Sequence, residues 1–196
     1  MRIYAVLAHP KKDSLSGRFF YTTVQHLTDQ GHQVDMLDLY ERMQDVPFYI
    51  PKQGTGWSNT GLDQFPIYNE IKTSVMSADR IFMVYPIYWY AVPGIMKCWI
   101  DLITSYAWKF DKGPHGIPLH KIKKALVVNS ASMSNWYRWL HTRNSGSEMV
   151  KESFKFLGIK NYYFYEIGST GELTQAKVDK HQEKIKRLAN WLAEGS

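Results

Sequence analysis

A chain of 196 residues with 44% apolar side chains can bury a full hydrophobic core, and no Pro/Ser-rich linker or low-complexity segment divides it. The expectation is one domain over residues 1–196. Lysine and arginine exceed aspartate and glutamate by 24 to 18. The only dense basic patches are "KIKK" (Lys121 to Lys124) and "KHQEKIKR" (Lys180 to Arg187), so the net charge of +6 does not mark a nucleic-acid surface and solvated faces account for most of it. The single cysteine, Cys98, rules out an internal disulfide, and the seven histidines form no zinc-like spacing with it, so no metal site is expected. No signal-peptide pattern opens "MRIYAVLAHP" and no apolar run nears the ~18 residues of a membrane span, which fits a reducing cytoplasm.

In chain order, the β-branched run "RIYAVLA" (Arg2 to Ala8) reads as a strand and leads through the turn "AHPKKDSLSG" into a helix over Ser16 to Gln30. A helix start is an intrinsic anion site, and Ser14 and Ser16 supply hydroxyls there; simple N-capping would use the same residues. His9 is a lone histidine and no catalytic signal by itself. The segment is not a G-x-S-x-G elbow, and no Ser-His-acid set accompanies it. A second strand, Gln33 to Leu39, precedes a stretch from Glu41 to Asp63 without clear period, rich in Pro and Gly, read as a long loop with one short helical turn. A helix over Gln64 to Ser77 and a third strand, Arg80 to Pro86, follow.

The next turn is unusual. Pro86 and Pro93 bracket Tyr88, Trp89 and Tyr90, where strand-to-helix turns are ordinarily small and polar. Stiffened aromatics here can flank a planar ring while main-chain amides reach its heteroatoms; closing the core or an interface is the alternative. The helix over Val92 to Tyr106 buries Val92, Ile95, Met96, Trp99, Ile100 and Ile103. A fourth strand, Lys124 to Ser130, opens on "NSASMSNWYRW", read as an exposed loop with Asn129, Ser130 and Ser132 as polar groups and with Tyr137 and His141 able to donate hydrogen bonds to an electron-rich ring. A helix over Glu148 to Leu157, a fifth strand Asn161 to Ile167, and a helix over Thr174 to Ala193, burying Ile185, Leu188, Ala189 and Leu192, complete the chain. Five strands alternating with helices imply a doubly wound α/β domain with helices on both faces of a parallel sheet. Ligands in such sheets bind beyond the carboxyl ends of the strands.

Three segments, "AHPKKDSLSG", "YPIYWYAVPGIMKCWID" and "SYAWKFDKGP", resemble the NAD(P)H:quinone oxidoreductase family with a flavodoxin-like fold. That family includes the DT-diaphorase, modulator-of-drug-activity and potassium-efflux ancillary types. The matching patterns are H-P-x-x-x-S-x-[NS], P-x-x-W-[WFY]-x-x-P-x-x-[LM]-K-x-W-x-[DE] and G-F-A-Y; the last reads "SYAW" here, and the family's T-T-G-G reads "NSAS". The resemblance implies a five-stranded sheet of order 2-1-3-4-5, a tightly held flavin (FMN, with FAD as the alternative), NAD(P)H as donor and a homodimer. It implies ping-pong chemistry, with two electrons passing as hydride through flavin N5 to quinones or similar aromatic acceptors. By the same resemblance His9, Ser14, Leu15 and Ser16 hold the phosphate-bearing tail, and Pro86, Ile87, Tyr88, Trp89 and Tyr90 hold the ring with Asn129, Ser130, Ala131 and Ser132. Tyr137 and His141 are its catalytic candidates. Trp89, Tyr90, Tyr106 and Trp108 line the acceptor pocket, Trp108 reaching into the partner's. A second reading is a flavin-binding subunit that regulates a membrane transporter with little turnover.

Overall fold

The computed structural model describes residues 1–48, 61–109 and 117–195. Its elements are β1 (Arg2–Leu7), α1 (Leu15–Asp29), β2 (Gln33–Asp38), α2 (Pro66–Ser77), β3 (Arg80–Pro86), α3 (Gly94–Thr104), β4 (Trp108–Lys109), β5 (Ile117–Pro118), β6 (Lys124–Ser130), α4 (Asn135–Thr142), α5 (Ser145–Phe156), β7 (Asn161–Ile167) and α6 (Gln175–Ala193). Five strands pair in parallel in the order β2-β1-β3-β6-β7, while β4 and β5 form a separate short ribbon. Without that ribbon the order is the expected 2-1-3-4-5.

Side-chain alternation along β1 explains why helices cover both faces. Ile3, Ala5 and Leu7 enter one core with Phe19, Phe20 and Leu27 of α1 and Ile185, Leu188 and Leu192 of α6. Tyr4, Val6 and Ala8 enter the opposite core with Ile71 of α2, Met96 and Trp99 of α3 and Val150 of α5. A strand buried on both sides reads as a continuous apolar run, which is how β1, β3 and β6 look in the sequence. Phe20 stacks on Phe82 at 5.8 Å, fixing α1 over β3.

The structure corrects several local expectations. The loop expected after β6 contains α4, and α5 begins at Ser145, three residues before the expected start at Glu148. Helix α3 is shorter at both ends than Val92 to Tyr106, with Pro93 as its N-cap. The "KIKK" lysines are not all solvated: Lys124 is buried, its Nζ donating to the Trp191 and Glu194 carbonyls at 3.1 and 3.2 Å. Arg80 Nε donates to the Leu192 carbonyl at 2.8 Å, so two cations satisfy the carboxyl end of α6 at the amino-terminal edge of the sheet. Of the long loop, residues 49–60 lie outside the described residues, as do 110–116 of the segment after "SYAW"; the short helical turn falls at Leu62–Gln64. Among the described residues no helix is long and apolar enough to cross a membrane, and no group of His, Cys, Asp and Glu could hold a metal ion.

Candidate active site

Strand order reverses between β1 and β3, and a cleft of about 210 Å³ opens there beyond the strand ends. The turn after β1 contributes His9, Leu15 and Ser16, and the turn after β3 contributes Pro86, Ile87 and Tyr88. Ser130, Ala131 and Ser132 arrive from the end of β6, and Thr170 from the loop after β7. The strand-end loops are tied together across the floor. Ile87 N–H donates to the Ser130 carbonyl at 2.7 Å, and Thr170 N–H donates to the Ala131 carbonyl at 3.1 Å.

At the start of α1, the Ser14 hydroxyl accepts from the Gly17 amide at 3.1 Å, so its side chain caps the helix. The Leu15 and Ser16 amides have no hydrogen-bond partner among the described residues, and both residues line the cleft at a positive helix end. Ser16 is buried with its hydroxyl 3.2 Å from that of Ser130. His9 Nδ1 stands 3.0 Å from both the amide nitrogen and the carbonyl oxygen of Lys11, which holds the ring among the cleft-lining residues. An anion is the ligand chemistry this corner suits.

The aromatic turn has an unexpected backbone. Tyr88 and Ala91 exchange N–H to carbonyl bonds of 2.9 and 3.0 Å, and the residues between them, Trp89 and Tyr90, both lie in the left-handed region at φ 48° and 67°. That pairing follows the type I′ turn, which ordinarily takes Asn-Gly, and each non-glycine residue there carries a cost of roughly 1–2 kcal/mol. Strain of this kind persists only where surrounding structure fixes it, and it concentrates at binding sites. The turn leaves the Trp89 and Tyr90 amides without partners among the described residues, and it presents the Trp89 ring at 93% exposure.

Behind the cleft lies a buried polar network. Arg138, only 2% exposed, donates from Nη2 to Asn135 Oδ1 at 2.8 Å and from Nη1 to Asn129 Oδ1 at 3.3 Å, and Nη2 stands 3.6 Å from Glu166 Oε2. Asn129 Nδ2 donates to the Ser147 hydroxyl at 3.0 Å, and that hydroxyl donates to Glu166. Burial pulls the Arg138 guanidinium below its ordinary value, and the Glu166 carboxylate opposes the shift. The network ties α4 and α5 to the ends of β6 and β7. Asn129 belongs to it and does not line the cleft.

Other expected site residues lie elsewhere. Tyr137 and His141 stack on one another at 4.1 Å along α4 and are not among the cleft-lining residues. Tyr106 and Trp108 follow the last turn of α3, which rises about 15 Å from its cleft-side start. Tyr106 packs on Tyr68 with its hydroxyl buried, and Trp108 packs on Phe156 at 4.5 Å. Neither is among the residues that line the cleft. Thr170 escaped the sequence reading because a lone threonine after an edge strand carries no motif.

A family model described as flavodoxin-like fold matches residues 1–190. The chain belongs to that family. Within it, the chain is 27% identical over 160 residues to YcaK of Escherichia coli (strain K12), an uncharacterized NAD(P)H oxidoreductase, with 82% of this chain and 80% of YcaK covered. It is 29% identical over 125 residues to the ribosyldihydronicotinamide dehydrogenase [quinone] of Rattus norvegicus, spanning about half (54%) of that protein and 56% of this chain. Among solved folds, the NAD(P)H:quinone oxidoreductase from Methanothermobacter marburgensis superposes with a TM-score of 0.78 at 21% identity, covering 100% of this chain and 98% of that one. An FMN-dependent NADH-azoreductase from Bacillus anthracis in complex with FMN gives 0.79 at 20% identity, covering 98% and 99%. The resemblance to NAD(P)H:quinone oxidoreductases read from the motifs is borne out by these relatives, which are oxidoreductases by name.

The histidines lead to an expectation about stability in acid. His9, His32, His120 and His181 are each held below the ordinary value of 6.5, chiefly by burial. A histidine whose folded value is depressed binds its proton more readily when unfolded, so stability is retained above 6.5 and lost as pH falls below it. The thermal midpoint is therefore expected to drop between about pH 7 and about pH 5.5, before carboxylates titrate. A midpoint flat across that window would contradict the burial of these rings.

Proposed function

We propose that the protein is a flavin-dependent NAD(P)H oxidoreductase that holds FMN in the cleft and reduces quinones or similar aromatic acceptors. One observation carries the reading: Leu15 and Ser16, with unpartnered amides, line a cleft at the strand-order reversal, and a strained aromatic turn with the unpartnered Trp89 and Tyr90 amides continues directly from its lining residue Tyr88. Phosphate suits the first set, because Leu15 and Ser16 offer N–H donors at a positive helix end beside His9. The heteroatoms of a flat ring suit the second, Trp89 and Tyr90. When bound, the flavin supplies the hydride chemistry, taking two electrons from NAD(P)H and passing them to the acceptor in a separate step. The residues around it orient the ligands, exclude water and furnish neutral donors; no protein nucleophile is needed.

A homodimer belongs to the same proposal. The cleft is smaller than the roughly 300–1,000 Å³ of typical ligand pockets, so one chain encloses only part of a flavin and its acceptor. Trp89, Trp136 and Trp139 are 93%, 67% and 66% exposed, an amount of aromatic surface that a second copy would cover. That copy would bring its Tyr106 and Trp108 toward the acceptor, and Tyr137 and His141 would face the reduced ring as donors once α4 is enclosed. FMN-loaded, gel-filtered protein is expected to oxidise NADPH or NADH with menadione or an azo dye, giving parallel lines in double-reciprocal plots. Turnover absent with every acceptor, despite retained flavin, would favour the transporter-regulating subunit instead.

A further inference from the structure

The aromatic turn is held from outside by the first residues of α5. Ser145 Oγ donates to the Tyr90 carbonyl at 2.6 Å, across 55 residues of chain. It is the first residue of α5, whose N-cap Asn144 makes no side-chain cap bond, so the hydroxyl serves a different segment from its own helix. Gly146 beside it is buried against the turn. A Cβ there would stand 2.9 Å from Ile87 Cδ1 and 3.2 and 3.3 Å from the Ala91 carbonyl carbon and Cα.

We propose that Ser145 and Gly146 are positioning residues of the site: hydroxyl and close approach together keep Trp89 and Tyr90 left-handed, so that their free amides stay aimed at a bound ring. The inference rests on the proposed flavin reading for its ligand, and on the backbone alone for its clamp. Trp89 and Tyr90 are not the glycine and asparagine that hold such a turn unaided, so an external hold is what their φ values require. The Tyr90 carbonyl is the group through which α5 reaches the turn, and it lies one peptide from the free Tyr90 amide and two from that of Trp89.

Three variants of the full chain test this: Ser145→Ala, Ser145→Thr and Gly146→Val. In flavin-free protein, Ser145→Ala should speed hydrogen exchange at the Tyr88 and Ala91 amides by about fivefold, the factor of one net hydrogen bond, while β3 and α3 keep their protection. Ser145→Thr, which retains the hydroxyl, should match the wild type. Gly146→Val should speed the same two amides further, because it pushes on Ala91. With FMN, the dissociation constant should rise about fivefold in Ser145→Ala and be restored in Ser145→Thr. Unchanged exchange at Tyr88 and Ala91 in both Ser145→Ala and Gly146→Val overturns the clamp, and so does protection lost across the whole protein. A wild type that holds no flavin would instead overturn the proposed function, while exchange at those two amides would still decide the clamp.

Discussion

Gly17→Ala is expected to dislodge the loop that carries His9 and to weaken FMN binding at least tenfold. The added Cβ would sit 2.0 Å from the Lys12 carbonyl oxygen and 2.7 Å from its carbon, both backbone atoms that cannot rotate away. Either α1 or the 9–14 loop must shift. The shift would break the Gly17 amide to Ser14 hydroxyl cap and move the Lys11 amide off His9, and with them the donors proposed for phosphate. Overpacking of this severity costs about 3 kcal/mol, which lowers the thermal midpoint by roughly 6–12 °C for a chain of this size. Gly171→Ala supplies the control, since a Cβ there meets nothing within 4 Å. Thermal unfolding and FMN titration of both variants check the expectation. Indistinguishable variants would mean that the close approach of α1 to Lys12 does not build the anion corner.

Arg138→Met should destabilise the fold by about 3 kcal/mol, because it strips the guanidinium from Glu166 and Asn129 inside a network that water does not reach freely. Removing one partner leaves the other unpaired, and that penalty exceeds the worth of the pair. Arg138→Met combined with Glu166→Gln should therefore recover part of the loss, a coupling that urea unfolding of the two single variants and the double variant would measure. Arg138 Nε has no partner among the described residues, so the guanidinium is held by its two terminal nitrogens alone. Equal losses that simply add would mean that Arg138 and Glu166 stabilise the protein independently.

The sheet was legible because its three central strands are apolar on both faces and strands alternate with helices, while its order followed from the motif resemblance. Helix α4 was not legible. Its one buried residue is Arg138, while Trp136, Trp139 and Leu140 face outward, which inverts the pattern by which a surface helix is recognised. The aromatic turn was visible as composition, but its left-handed backbone was not, since local propensity would place glycine there. Its conformation depends on Ser145 and Gly146, 55 residues away, and no local pattern encodes a contact of that range. Ser14 shows the same limit at short range: phosphate contact and N-capping use the same residue type, and the geometry assigns its side chain to the cap.

The central claim is that the cleft holds a flavin that a nicotinamide nucleotide reduces. The most direct measurement is the anaerobic absorbance spectrum of gel-filtered protein reconstituted with FMN or FAD, before and after addition of NADPH or NADH. The account predicts bands near ~370 and ~450 nm that survive gel filtration and bleach on adding one of the nucleotides. Loss of both flavins on the column would contradict it, leaving the aromatic turn as a packing or interface feature.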